Sequence, residues 1–144
     1  MTKGIILKHF LGVLAIVAVL GSPAALLAKR NELSLATCNV GGKRYDAIVT
    51  PEEIQQSPSW PDTEEFPPLS PRKAIAAAIP VANSFGAGGR VTGVTLKESF
   101  PGKWIYIVGF VHGPANGPVE LSNVVVLMNG HAVQPTLFSP VREK

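Results

Sequence analysis

The segment Trp104-Ile105-Tyr106-Ile107-Val108-Gly109-Phe110-Val111 is apolar on both faces when drawn as an extended chain. Trp104, Tyr106, Val108 and Phe110 fall on one side; Ile105, Ile107 and Val111 fall on the other. A strand with one wet face alternates apolar and polar residues. This one therefore predicts a central strand covered on both faces.

Its neighbours in sequence read as strands too. Val91 to Ser99 alternates, with Val94, Leu96 and Glu98 on one side, and Phe100-Pro101-Gly102-Lys103 turns into the central strand. The loop from His112 to Pro118 ends that strand, and Val119 to Met128 follows as the next. Asn129-Gly130 is a hairpin signal, and His131-Ala132-Val133 returns as a short strand before Pro135. Upstream, Ser70-Pro71 places a cap before a first-turn proline, and Ala74, Ile75, Ala78 and Ile79 then share one helical face. Pro80 has no N–H for the carbonyl four residues back, so the helix is expected to end or kink near Ile79. Val81 to Phe85 adds a last turn, closed by Gly86. A helix followed by an antiparallel meander predicts an α+β fold, with one main helix packed on a sheet of about four strands.

Residues 29–69 form a different segment. Tyr45 to Val49 alternates as a short strand. Thr50-Pro51-Glu52-Glu53 starts a helix, with Thr50 as cap and Glu53 completing a capping box. From Pro58 to Pro71 the chain carries Pro58, Pro61, Pro67, Pro68 and Pro71, a density that excludes helix and central strand and predicts an extended arm. Trp60 and Phe66 lie within it. Large aromatics are usually buried, so the arm is expected to be strapped over the sheet with these two as anchors. The functional reading of the same residues is a peptide-like arm offered to a partner through Trp60 and Phe66.

Residues 1–28 have the order of a secretory signal helix. Lys3 and Lys8 give a positive start, Phe10 to Leu20 is uncharged, Gly21-Ser22-Pro23 breaks the helix, and Ala24 and Ala25 follow. Cleavage is expected after Ala24 or Ala28. The alternative is an uncleaved membrane anchor, since Phe10 to Ala28 is about long enough for a thin bilayer. The implied location is secreted or periplasmic, with membrane contact only through this segment. The remainder is an ordinary length for one core. The chain has 13 Lys+Arg against 10 Asp+Glu, a net charge of +3, and cleavage after Ala28 removes Lys3 and Lys8 and no acid. No basic cluster remains to suggest nucleic acid as a partner.

Candidate chemistry is sparse. Cys38 is the only cysteine, which excludes an intrachain disulfide. Leu35-Ala36-Thr37-Cys38 loosely follows a lipobox, but Thr37 and the polar residues 29–32 fit it poorly, so a small half-buried thiol is expected. His112 and His131 lie in or beside turns, where a solvated imidazole is the default, and neither has metal-ligand spacing to another His or Cys. Cys38 with either histidine has no local signature of a nucleophile pair. Gly86-Ala87-Gly88-Gly89 follows a helix and precedes a strand, the reverse of a phosphate loop, and reads as a helix stop. The acidic pairs Glu52-Glu53 and Glu64-Glu65 do not converge on one point and are expected to be solvated. No catalytic residue, metal or cofactor is expected.

Ser70 to Ala78, then Val94-Thr95-Leu96, then Trp104 to Phe110, then Val124 to Met128 resembles a PepSY-like domain over about Leu69 to Pro135. The resemblance implies a helix with an alanine-rich face followed by a small antiparallel sheet. It also implies an exported or membrane-attached bacterial protein without catalytic motif, in a family of which some members accompany secreted peptidases and restrain them or assist their folding. A convergent, cystatin-like helix-plus-meander is the alternative. The leading expectation for function is a non-enzymatic binding module of the cell envelope. Its partner is a polypeptide such as a peptidase, or a second copy, held by an open sheet edge or by the arm. A structural or assembly protein anchored by its N-terminus is the second reading, and an enzyme using Cys38 or His112 the third. The intact mass of the protein recovered from its native envelope is expected to begin near Ala25 or Lys29; a mass that retains Met1 establishes the anchor instead.

Overall fold

The computed structural model describes residues 32–86, 88–114 and 116–138. The doubly apolar segment forms β4 (Lys103–His112), the middle strand of an antiparallel sheet with β3 (Arg90–Phe100) and β5 (Glu120–Leu127) at its sides. One face of this sheet carries Tyr106, Val108, Phe110, Val124 and Val126, packed against the main helix, α2 (Pro71–Asn83). The other face carries Ile105, Ile107, Val125 and Leu127, packed against Ala47, Val49 and Val133. The second cover is a second antiparallel sheet in the order β1 (Leu33–Val40), β2 (Lys43–Val49), β6 (Thr136–Leu137).

The fold is therefore α+β, but the expected single sheet of about four strands is corrected to two sheets of three. The cause lies in β4 and β5 themselves. One helix can cover only one face, and the residues on the opposite face of the sheet are equally apolar. The returning segment His131-Ala132-Val133 makes a single bridge, Ala132 to Val126. It accepts from Leu127 N–H at 2.9 Å and donates from Val133 N–H to Val125 O at 2.9 Å, then leaves for the second sheet as β6. Phe138 N–H donates to Arg44 O at 2.8 Å, and the Arg44 guanidinium lies 4.4 Å from the Phe138 ring centre.

Local signals explain most element ends. Gly41 and Gly42 both take left-handed backbone (φ 60° and 71°), which suits a two-residue turn between β1 and β2. At α1 (Pro51–Gln56) the capping box forms as expected, with Thr50 and Glu53 bonded reciprocally. Ser70 caps α2, accepting from Lys73 N–H at 3.4 Å. α2 does not end at Ile79: it passes through Pro80, and Val81 to Asn83 add the last turn. Pro80 and Ala76 both lie on the exposed face, so water can take the carbonyl that the proline leaves without a donor. The buried face is Ala74, Ala78, Val81 and Ala82, and Ile79, expected inside, is exposed. Asn129-Gly130 turns the chain, but in a longer loop than a two-residue hairpin. Only Gly130 is left-handed (φ 86°), and its N–H donates to Leu127 O at 2.9 Å.

The expected signal helix over 1–28 lies outside the described residues. Among the described residues no helix is long and apolar enough to cross a membrane.

One buried polar contact links the layers to the arm. Tyr106 Oη donates to Leu69 O at 2.9 Å, and burial pushes the Tyr106 hydroxyl above its usual 10.0. Tyr106→Phe is expected to cost about 1–3 kcal/mol in urea unfolding, because the buried Leu69 carbonyl loses its donor. The raised value has a signed consequence. Between the unfolded and the folded value the native state holds the extra proton, so this contribution is complete below pH 10 and is lost as pH rises past it. The alkaline fall in stability is expected to be shallower in Tyr106→Phe than in the wild type.

Candidate functional site

The arm is pinned to the turn between β3 and β4. Trp60 N–H donates to Gly102 O at 3.2 Å. The Trp60 ring meets Trp104 edge to face, with ring centres 5.3 Å apart and planes at 66°. Trp60 Nε1 donates to Glu64 O at 2.9 Å, and Glu64 N–H donates to Pro61 O at 3.0 Å, so residues 60–64 close into a small loop. Trp60 is thus an anchor, as expected. Phe66 is not: it is 72% exposed, and the second anchor is the buried Leu69. The chain bends at Glu65-Phe66 and again at Pro68-Leu69, and these bends turn Phe66 to solvent and Leu69 to the core.

Beside the paired indoles is a cavity of about 250 Å³ lined by Trp60, Pro61, Asp62, Glu64 and Trp104. Its polar side chains are two carboxylates. Among the described residues neither pairs with a base. The Trp60 ring N–H is already spent on Glu64 O, so Trp60 contributes ring surface and no donor to this lining.

β3 is the second candidate. It pairs with β4 along one side, and among the described residues no strand pairs along its other side. Most of its residues are exposed, and only Val94, Leu96 and Ser99 are half-buried. Register shifts interrupt it between Val91 and Gly93 and again between Glu98 and Phe100, leaving Gly93 to Glu98 as the regular stretch. Glu98 is the direct cross-strand partner of Trp104, so the regular edge ends next to the indole cavity.

The residues singled out for catalysis are placed elsewhere. His112 is buried, 6% exposed, and not solvated as expected. Its Nε2 lies 2.7 Å from Ser122 Oγ. A methyl group at Gly89 would stand 2.7 Å from His112 Cε1, so the backbone at Gly89 packs this closely on the ring only without a side chain. The spacing suits a nucleophile and its base, but Ser122 is 1% exposed and Nδ1 has no partner among the described residues to orient the ring. Nothing around Ser122 in the sequence marks it; the glycines upstream are the one sign that something packs closely there. Cys38 is buried in β1 opposite Tyr45. A lipobox cut before it would remove Leu33 to Thr37, most of that strand. Among the described residues no group of His, Cys, Asp or Glu is arranged to hold a metal.

Comparison with protein-family models, with curated proteins and with solved structures finds no match to this chain.

The two arm aromatics are expected to separate on substitution. Trp60→Ala should lower unfolding stability by about 1–3 kcal/mol, as loss of a packed anchor does, whereas Phe66→Ala should stay within about 0.5 kcal/mol of wild type. Equal losses in chemical denaturation would mean that the arm is held by Phe66 as well.

Proposed function

We propose that this chain is an exported, non-enzymatic module of the cell envelope that holds a polypeptide partner in extended form along β3. The carrying observation is the eleven-residue edge strand, which among the described residues has no partner along one side. Such an edge offers a row of N–H and C=O groups, and a strand added to it gains main-chain hydrogen bonds with any sequence. The arm is the weaker of the two candidate surfaces. Its tryptophan is committed to Trp104 and its backbone to Gly102, so it serves the fold before it serves a partner. The PepSY-like resemblance of Leu69 to Pro135 supports the same reading and favours a peptidase as the partner. The signal-like order of residues 1–28 supports a secreted or periplasmic location.

A photoreactive amino acid placed at Thr95, in the regular stretch of β3, tests the proposal in the native envelope. Ala76, on the exposed face of α2, is the control position. Polypeptide adducts of discrete mass are expected from Thr95 and not from Ala76. No adduct, or the same adducts from both positions, would count against a binding role for β3. An adduct of twice the chain's mass would identify a second copy as the partner.

A further inference from the structure

We infer that the Trp60–Trp104 cavity is a cation-recognition notch that selects a Lys or Arg side chain of the polypeptide strand laid along β3. The inference rests on the polypeptide reading above and adds to it the chemical identity of one partner residue.

Three properties of the notch point to a cation. Its lining includes two indoles packed edge to face, and a group lying against the open face of either ring meets electron-rich surface. A positive group within about 6 Å of an indole centre is attracted by the ring quadrupole, and tryptophan is the strongest such partner. Asp62 and Glu64 add two carboxylates to the lining, and neither is neutralised by a base among the described residues. The nearest ammonium in sequence, Lys103 Nζ, is engaged elsewhere, donating to the carbonyls of Gln55 and Ser57. Finally, the one N–H donor on the Trp60 indole is satisfied internally by Glu64 O. An anion or a neutral acceptor entering the notch therefore finds no indole donor from Trp60.

The Trp60 wall of the notch is held in place before binding. Trp60 is fixed through its backbone N–H, its ring N–H and its contact with Trp104, with Pro61 directly after it. Little side-chain freedom remains to be lost when a ligand arrives, which favours selectivity.

Position links the notch to β3. Trp104 lies directly across from Glu98, and Glu98 Oε1 accepts from Gly102 N–H at 2.7 Å at the same turn. Neighbouring strands are about 4.8 Å apart, so a strand added beside β3 runs about 10 Å from β4. Only a long side chain crosses Glu98 to reach the indoles. Arg and Lys have that length, and both carry the charge that the notch and Glu98 call for. Strand addition supplies affinity through the backbone and leaves specificity to side-chain pockets, which is the part this notch plays.

Fluorescence reads the notch directly, because Trp60 and Trp104 are the only two tryptophans in the chain. The probes are blocked pentapeptides Thr-Val-Xaa-Val-Thr, with Xaa arginine, lysine or norleucine, and blocked single arginine as the small cation. Hydrogen exchange of the Gly93–Glu98 amides reports strand addition separately. The arginine and lysine peptides are expected to perturb the tryptophan emission and protect β3, and the norleucine peptide to bind about tenfold more weakly. The double variant Asp62→Asn, Glu64→Gln leaves both indoles in place and is expected to remove most of that difference. Raised salt should narrow it as well, since the carboxylates are exposed. Equal binding of all three peptides, with β3 protected, overturns the notch and leaves the polypeptide reading standing. A response to blocked arginine with no peptide protecting β3 keeps the cation site and overturns the strand. Silence in both readouts overturns both.

Discussion

A strand with no wet face has to be enclosed on two sides before the rest of the chain can settle. β4 imposes that condition here, and β5 repeats it. Val108, Val124, Val125 and Val126 are fully buried, from both faces of the sheet. Each such side chain contributes about 1.5–3 kcal/mol when moved from water, so leaving either face open would forfeit much of a small domain's stability. The helix and the second sheet are the two covers. The helix-facing side of β4 also organises the connections. Trp104 takes the start of the arm through Trp60, Tyr106 takes its end through the Leu69 carbonyl, and His112 lies under the loop that follows α2. One side of one strand thereby fixes three segments that have no regular structure of their own.

Much of this is legible in the amino-acid sequence where the cause is local. The capping box at Thr50 and Glu53, the Ser70-Pro71 start of α2, and the two-faced pattern of Trp104 to Val111 depend on neighbours along the chain, and each is found in the structure. β1 was also encoded, since Gly41-Gly42 before Tyr45 to Val49 is a hairpin signature, but its small and polar residues, Ala36, Thr37 and Asn39, mask the alternation. What could not be read depends on contacts between distant residues. Whether Pro80 ends a helix turns on which side meets solvent. Whether His112 is wet turns on Gly86 and Gly89, more than twenty residues upstream, packing against it. The two-residue β6 exists only because β2 offers it an edge.

The candidate site follows the same division. Trp60 stands out in sequence because a large aromatic among prolines needs a place to go. Its partner Trp104 stands out for a different reason, as part of a strand. Their meeting, and the carboxylates it gathers, depend on the path of the arm across the turn at Gly102. Phe66 looks equivalent to Trp60 in sequence and is the opposite in space, because the bends around it decide which side chain is covered.

The irregularities at the two ends of β3 also bear on solubility. A long, flat, uncovered edge can zip onto copies of itself without limit. Here the uninterrupted run is confined to Gly93–Glu98, and it carries a glycine and the adjacent charges of Lys97 and Glu98. A bulge bends and twists its strand, so a ladder growing along this edge loses register after a few residues at either end. The regular edge is thereby limited to six residues, Gly93 to Glu98, which works against open-ended pairing of copies.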